Sequence, residues 1–245
     1  MDSTRFILVN TSHAGNVGAT ARAMKVMGFR DLVLVAPRFA DVLCHEEAVA
    51  MASGAADILA RARVVDSLAE ALDGVDFVCA TAMTPRDFGP PTHEPRPLFA
   101  DLAARAVAPR LALVFGSERY GMSNEDVYRC HSVLSIPTNP DYGSLNLSQA
   151  VQLLAYEWRQ ALGGFGVTPR TADAALADAR AVQGLLAHLQ SALTDIGYLD
   201  PAAPRKLMPR LNQLFNRAAL TEEEVHILRG IARQMSKTAA AAGPH

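Results

Sequence analysis

Residues 111–125 read LALVFGSERYGMSNE. The run 111–115 is unbroken and apolar, and it ends at Gly116 in a polar loop that leads to a helix which Ser123 is placed to cap. An apolar run without polar alternation is typical of a parallel strand that is covered on both faces. The succession of strand, loop and helix therefore indicates an α/β fold, with a mostly parallel sheet and helices on both faces.

Similar apolar runs recur on either side of this segment, and helical patterns separate them. The further strand candidates are residues 6–9, 32–36, 75–80 and 133–136. The helix candidates between them are residues 18–27, 46–59, 98–107 and 147–162. Beyond Pro169 no further strand-like run follows and helical periodicity dominates. We therefore predict an α/β domain in residues 1–163 and a helical extension in residues 170–245.

The bulk composition is that of a soluble globular protein. The chain has 245 residues, half of them hydrophobic, and a formal net charge of −2. No apolar run approaches the roughly 20 residues that cross a bilayer, so we expect a cytoplasmic protein without a membrane contact. Cys44, Cys79 and Cys130 are scattered and lack metal-ligand spacing, so we expect buried or half-buried thiols, no disulfide and no metal site.

The charge is divided unevenly along the chain. Residues 1–169 hold 14 Lys/Arg and 18 Asp/Glu, whereas residues 170–245 hold 9 and 7. Four of the cations in the second part fall within thirteen residues that contain no acid: Arg205, Lys206, Arg210 and Arg217. The overall field does not favour nucleic acid, but a local basic patch is available.

The segment 10–22, NTSHAGNVGATAR, follows the first predicted strand and opens the first predicted helix. The start of a helix gathers unpaired N–H groups at the positive end of the helix dipole, which suits an anionic ligand. Gly15 and Gly18 allow the backbone to approach a ligand closely, and Arg22 is placed to grip a phosphate. The spacing is not that of a dinucleotide-binding motif. An ordinary strand-to-helix turn with a surface arginine also explains these residues.

Glu118 follows a predicted parallel strand at its carboxyl end, where α/β sheets place their ligands. The alternative is a structural carboxylate that caps backbone N–H groups or pairs with Arg119. Residues 136–150, IPTNPDYGSLNLSQA, lead into the long helix and carry stiffening prolines and hydrogen-bonding side chains. Asn146 and Gln149 also fit a variant capping box with no further role.

In this order, the three segments resemble the three sequence motifs of the SPOUT RNA methyltransferases. The matching stretches are Asn16-x-Gly18-x-x-x-Arg22, residues 115–121 and residues 136–150. The resemblance covers residues 5 to about 160. Residues 9–13, 139–142 and 226–230 further resemble the TrmJ branch, which joins the knotted methyltransferase domain to a helical C-terminal extension.

The resemblance implies a trefoil knot in about residues 111–160 that forms a pocket for S-adenosyl-L-methionine. Periodicity alone predicts an ordinary doubly wound sheet, because knots are rare. By the resemblance, the cofactor-binding residues are Thr81, Ala82, Met83, Gly116, Ile136, Gly143, Ser144 and Leu145. The family's knotted domain works as a homodimer, so tRNA and a second copy of the chain are the expected partners, and DNA is not.

The TrmJ branch methylates the ribose 2′-hydroxyl of nucleotide 32 in the tRNA anticodon loop, so the resemblance implies this activity, on C or U. The implied catalytic residues are Arg22, Asn16, Glu118 and Ser144, with Arg22 on the RNA near the 2′-hydroxyl and the others ordering the loops. The implied RNA-binding residues are Arg22, Arg205, Lys206 and Arg210, since phosphate contacts position a substrate.

Some alternatives stay open. A protonated arginine is a poor base, so His13 is a second candidate for removing the hydroxyl proton, or else a plain turn residue. Tyr142 either stacks on an extruded nucleobase or is a buried core residue. A related rRNA 2′-O-methyltransferase, or a non-catalytic RNA-binding α/β protein, is the alternative function. Methyl transfer to tRNA or to rRNA distinguishes these classes.

Overall fold

The computed structural model of the chain describes residues 4–82, 86–168 and 175–242. It divides into two compact units, Met1–Gly166 and Val167–His245. In chain order, the described residues of the first unit form β1 (Arg5–Val9), α1 (Ala14–Val26), β2 (Asp31–Val35), α2 (Glu46–Ala52), a 3-10 turn (Ser53–Ala55), α3 (Ala56–Arg61), β3 (Arg63–Val65), α4 (Leu68–Ala71), β4 (Phe77–Thr81), β5 (Thr92–His93), α5 (Pro95–Ala103), β6 (Leu111–Phe115), α6 (Asn124–Tyr128), β7 (Ser132–Leu134) and α7 (Leu147–Ala161).

The sheet has seven strands among the described residues, in the order β3-β2-β1-β6-β4-β7-β5. Every pairing of neighbouring strands is parallel. Successive residues of β1 pack on opposite faces: Phe6 joins the core on the side of α1 and α7, and Ile7 the core on the side of α4 and α6. The predicted α/β fold, with continuous apolar strands buried on both faces, is confirmed.

The two strands that the sequence pattern missed are the edges of this sheet. β3 has three residues, two of them exposed, and β5 has two exposed residues. Neither is a continuous apolar run, because an edge strand has a neighbour on one side only. The predicted helix over residues 46–59 is also interrupted, at Ser53, where φ is 51°. A positive φ cannot continue a right-handed helix.

Helix α1 carries the first motif, and two neighbours hold it in place. Gly18 lies against the backbone of α2 at Ala48 and Ala52, where a Cβ atom has no room. The buried indole of Trp158 in α7 donates a hydrogen bond to the hydroxyl of Thr4, at 2.7 Å. Thr4 directly precedes β1, so this bond ties α7 to the strand that leads into α1. The helix is therefore fixed by close backbone packing, and its start is positioned directly after β1.

The second unit is helical in its described residues, with α8 (Ala179–Asp195), α9 (Leu207–Ala218) and α10 (Glu222–Ala242). Val182, Leu185 and Phe215 belong to its small apolar core. Of the predicted extension, residues 170–174 and 243–245 lie outside the described residues. A capping box between Thr221 and Glu224 begins α10.

Three exposed basic residues of this unit share one face of α9. With about 100° of rotation per residue, Lys206, Arg210 and Arg217 fall on one side of α9 and Phe215 on the other. All three are exposed, as is Arg205, and no ion pair joins any of them to an acid within the described residues. The local basic patch is therefore presented to solvent.

Two of the three cysteines follow the prediction. Cys79 and Cys130 are buried, and burial raises the pKa of both thiols, that of Cys130 to about 12. Cys44 is exposed, because it lies in the turn before α2, so the expectation of burial is wrong there. Among the described helices, none is both long and apolar enough to span a membrane. The trefoil knot stays a prediction.

Substituting Gly18→Ala should destabilise the first unit by about 2 kcal/mol or more, because the new methyl group overlaps the Ala48 carbonyl and forces α1 away from α2. Urea unfolding followed by circular dichroism measures the change. Gly54→Ala is the matched control: its Cβ has no neighbour within 4 Å, so its stability should stay unchanged or rise slightly. Wild-type stability in Gly18→Ala would contradict the packing described for α1.

Candidate functional site

The carboxyl ends of β4, β6 and β7 open onto a cavity of about 390 Å³. Loops that follow these strands, together with the start of α7, form its wall. The lining residues are Thr81, Ala82, Arg86, Phe115, Gly116, Ser117, Glu118, Arg119, Tyr120, Gly121, Met122, Leu134, Ile136, Thr138, Gly143, Ser144, Leu145, Leu147 and Ala150. A concave, mostly apolar site with a few polar groups at this edge of a parallel sheet is the usual form of a small-molecule site.

Glu118 joins the loop after β6 to the loop after β1. Its Oε1 accepts hydrogen bonds from the Thr11 hydroxyl at 3.0 Å and from the Asn16 amide at 2.9 Å. Its Oε2 accepts from the Ser12 backbone N–H at 2.9 Å and from the Ser12 hydroxyl at 2.8 Å. The alternative of a pair with Arg119 is not what the structure shows, since the Arg119 guanidinium lies over the Tyr120 ring instead.

These hydrogen bonds control the ionisation of Glu118. Its partial burial acts to raise the pKa, but donation from the Asn16 side chain and from Ser12 outweighs burial and lowers the pKa from 4.5 to about 2. The carboxylate is therefore ionised at neutral pH, and its lone pairs are already engaged. Both properties are those of a group that orders its neighbours, and neither is that of a general base.

Asn146 extends the network to the third loop. Its side-chain N–H donates to the Asn16 oxygen at 3.0 Å, while its own oxygen accepts from the Ser148 backbone N–H and caps α7. The predicted capping box with Gln149 is present, so the capping role of Asn146 and its contact to Asn16 coexist. The chain from Asn146 through Asn16 to Glu118 links all three sequence motifs by side-chain hydrogen bonds.

The loop after β6 is a tight turn. Ser117 and Gly121 exchange backbone hydrogen bonds of 3.1 and 2.9 Å, so the loop returns on itself directly after the strand. Gly116 lies against the returning backbone of Gly121 and Met122, and a Cβ atom there would overlap it. This requirement explains the glycine two residues before Glu118 and keeps the carboxylate next to the first loop.

The structure brings most of the sequence-predicted cofactor residues together. Thr81, Ala82, Gly116, Ile136, Gly143, Ser144 and Leu145 all line the cavity. Met83, also predicted to bind the cofactor, lies outside the described residues. Of the predicted catalytic residues, Glu118 and Ser144 line the cavity. Asn16 is not among the lining residues, but its side-chain amide donates a hydrogen bond to Glu118.

Arg22 does not line this cavity. It is exposed on α1 and lines a separate depression with residues of α2 and α7, among them Met51, Ser148 and Gln152. The predicted RNA-binding residues of the extension belong to the second compact unit: Arg205, Lys206 and Arg210. Tyr142 is 79% exposed, which excludes the buried-core alternative for this residue.

Three residues of the site were not singled out from the sequence. Thr11 and Ser12 supply three of the hydrogen bonds that Glu118 accepts, and Arg86 lines the cavity. The hydroxyls at positions 11 and 12 gain this role only because β1 lies beside β6 in the sheet. Polar residues directly after a strand are a sequence signal for a site. The sequence pattern did not give the order of the strands, and so it could not show that Thr11 and Ser12 lie beside Glu118.

The lining suits a ligand with an apolar planar part and a charged tail. Phe115, Leu134 and Leu147 form apolar wall, while Ser117, Thr138 and Ser144 offer hydroxyl groups. Arg86 adds a cation to the wall, and its buried Nε–H has no hydrogen-bond partner among the described residues. Within the described residues no cluster of three or more His, Cys, Asp or Glu side chains could hold a metal ion. These residues fit the nucleoside and amino-acid parts of S-adenosyl-L-methionine.

The parallel α/β sheet and the cavity built by these three loops agree with the methyltransferase domain that the sequence motifs resemble. Residues 3–156 match the family model of the SpoU rRNA Methylase family. The chain belongs to this family.

The second unit matches a more specific family model than the first unit does. Residues 180–244 match the model described as tRNA methyltransferase TrmJ, C-terminal domain. The chain is 44% identical over 249 residues to the tRNA (cytidine/uridine/adenosine-2′-O-)-methyltransferase TrmJ of Pseudomonas aeruginosa, covering 98% of this chain and 96% of that protein. It thus falls in the TrmJ group of SpoU methylases.

Solved structures agree with this placement. The crystal structure of TrmJ from Z. mobilis ZM4 has a TM-score of 0.79 and 30% identity, covering 95% of this chain and 99% of that chain. A probable methyltransferase from Bordetella pertussis Tohama I is 48% identical with a TM-score of 0.61, covering 66% of this chain and 96% of that chain.

Substituting Glu118→Gln should lower the free energy of unfolding by about 2 kcal/mol at pH 7, because the amide cannot accept all the hydrogen bonds that the carboxylate accepts. Since folding lowers the pKa of Glu118, its contribution is complete above about pH 5 and disappears as the pH falls toward 2. Urea unfolding at several pH values should therefore show the two proteins converging in acid.

Glu125→Gln is the control for this comparison. Glu125 is exposed and pairs with Arg129 on the same helix, so its loss should change stability by less than about 0.5 kcal/mol. A difference between wild type and Glu118→Gln that is absent at pH 7, or that grows as the pH falls, would contradict the role given to this carboxylate.

Proposed function

We propose that this chain is a tRNA 2′-O-methyltransferase that uses S-adenosyl-L-methionine and modifies the ribose of nucleotide 32, C or U, in the anticodon loop. The observation that carries the proposal is the cavity at the strand ends, where the three motifs are joined through Glu118. The similarity to TrmJ proteins over 98% of the chain, including the C-terminal domain, favours tRNA as the substrate.

The cofactor would occupy the cavity, held by the loops at Thr81, Gly116, Ile136 and Gly143. Its volume of about 390 Å³ is within the range of small-molecule sites. S-adenosyl-L-methionine supplies a methyl group on a sulfonium centre that is already electrophilic. The protein must then align the acceptor hydroxyl, exclude water and help the hydroxyl lose its proton.

Glu118 and Asn16 order the loops of the site in this proposal. The carboxylate, with a pKa of about 2, is too weak a base for a ribose hydroxyl, and its hydrogen bonds fix Asn16 and Ser12 beside the cavity. Ser144, exposed on the third loop, is free to contact the incoming nucleotide. These contacts support a positioning role for this cluster.

Arg22 would contact the RNA backbone close to the reacting ribose. Its guanidinium is exposed and suited to a phosphate, but it lies in a different depression from the cofactor cavity of the same subunit. Val26 and Met51 leave apolar surface exposed beside it. We therefore propose a homodimer in which Arg22 serves a site that the second copy completes.

The basic face of α9 would extend the RNA contact. Arg205, Lys206 and Arg210 are exposed, and no described acid neutralises them by an ion pair. Cations of this kind bind phosphates without reading the sequence of the RNA. They would therefore strengthen tRNA binding and leave the choice of nucleotide to the catalytic unit.

The class of RNA and the base of the modified nucleotide are two separate properties of the substrate. The name of the family includes rRNA methylases, so rRNA is the second candidate substrate. The TrmJ of Pseudomonas aeruginosa is named for cytidine, uridine and adenosine, whereas that of Photorhabdus laumondii, at 42% identity, is named for cytidine and uridine. The base accepted at the target nucleotide is therefore a property to be measured.

The test is transfer of a labelled methyl group from S-adenosyl-L-methionine to unmodified tRNA transcripts and to rRNA fragments. Nuclease digestion and mass spectrometry then locate the modified ribose. We expect a 2′-O-methyl group at nucleotide 32 of tRNA, and its absence from transcripts that carry a 2′-deoxyribose there. Labelling of rRNA alone would overturn the substrate, and labelling of no RNA would overturn the enzymatic function.

Substituting Arg22→Ala should reduce methyl transfer to tRNA by at least about a hundredfold, because the phosphate beside the reacting ribose loses its charged partner. The affinity for S-adenosylhomocysteine should stay within about twofold, since Arg22 does not line the cofactor cavity. Arg30→Ala is the matched control: it changes an exposed arginine at the opposite, amino-terminal end of β2, and turnover should persist. Normal turnover in Arg22→Ala would refute its proposed role.

A further inference from the structure

Arg86 is a cation in the wall of the cavity that the sequence did not single out. It lies five residues beyond Thr81 and lines the cavity together with Thr81 and Gly116. Its side chain is half-buried, and one terminal nitrogen, Nη2, donates a hydrogen bond to the Met122 carbonyl at 2.9 Å. This bond ties the loop after β4 to the loop after β6.

The Nε–H of Arg86 is buried and has no hydrogen-bond partner among the described residues. Nor does any ion pair between described residues include its guanidinium. A buried donor without a partner is costly, and more so when it carries a charge. A guanidinium that lines a cavity and has no acidic partner binds a carboxylate through charge-assisted hydrogen bonds.

The other charged groups of the cavity do not pair with the Arg86 guanidinium. The Glu118 carboxylate is engaged by Thr11, Ser12 and Asn16. The second cation, Arg119, is exposed and lies over the Tyr120 ring, with its guanidinium carbon 5.2 Å from the ring centroid. Arg86 is therefore the half-buried positive charge that the cavity presents to a ligand.

We infer that Arg86 binds the carboxylate of the amino-acid part of the methyl donor. The inference rests on the proposed function, because it takes S-adenosyl-L-methionine as the ligand of the cavity. The carboxylate is the anionic group of that cofactor, and a half-buried guanidinium tied to Met122 is placed for a ligand inside the cavity. An RNA phosphate, by contrast, approaches from outside, where Arg119 and Arg22 are exposed.

A second hydrogen bond restrains the backbone next to Arg86. The Tyr128 hydroxyl donates to the Asp87 carbonyl at 2.9 Å, so the chain on the far side of Arg86 is fixed to α6. The guanidinium is thus held by its own bond to Met122 and by a backbone that is anchored one residue later. A positioned fork binds a carboxylate with less loss of entropy than a free side chain.

The experiment compares two ligands of the full-length protein by isothermal titration calorimetry. S-adenosylhomocysteine carries the amino-acid part, whereas 5′-methylthioadenosine shares the adenosine and the thioether but lacks the carboxylate. In Arg86→Met, binding of S-adenosylhomocysteine should weaken by at least about tenfold, while that of 5′-methylthioadenosine stays within about twofold. Arg86→Lys should restore part of the loss. Arg129→Met, an exposed arginine on α6, is the control and should change neither affinity.

Each other outcome overturns the inference. Equal weakening of both ligands would show that Arg86 only shapes the cavity. Unchanged binding of S-adenosylhomocysteine together with a raised KM for tRNA would show that it contacts RNA phosphate. If the wild-type protein binds neither ligand, the proposed cofactor is wrong and the inference falls with it, whereas the first two outcomes leave the proposed function intact.

Discussion

The site depends on one half-buried carboxylate, that of Glu118. A charge removed from water must be hydrogen-bonded, and the donors that satisfy this one come from the turn after β1 and from Asn16 in α1. They reach it because β1 and β6 are neighbours in the sheet. Asn146 extends the same network to the segment before α7. Contacts between protein groups thus hold together loops that are far apart in sequence, and fixed loops are a condition for precise alignment of two reactants.

The sequence predicted the centre of the sheet and missed its margins, for a physical reason. The inner strands are covered by helices on both faces and have a neighbouring strand on each side. Their sequences are therefore continuous apolar runs, such as residues 111–115. The edge strands β3 and β5 are two or three residues long and largely exposed, so they leave no such pattern. The break at Ser53 is also invisible to periodicity, since the flanking residues keep a helical pattern.

The site was predictable from its motifs to the extent that each residue acts within its own loop. Ser144 and Leu145 line the cavity, where the resemblance placed them, and Asn146 caps α7, as its local pattern predicted. What the patterns could not give is the order of strands, which makes Thr11 and Ser12 partners of Glu118. Nor could they show that Arg22 lines a depression separate from the cavity at the strand ends. Residues whose roles arise across the sheet need the three-dimensional arrangement.

The claim that Glu118 joins the first two loops is tested most directly by a double-mutant cycle with Asn16. The free energy of unfolding is measured at pH 7 for the wild type, Asn16→Ala, Glu118→Ala and the double variant. If the side chains act as one unit, the two losses should fall short of adding by about 1 kcal/mol or more, because the second substitution finds its partner already gone. Losses that add within about 0.3 kcal/mol would show two independent residues and would contradict the account.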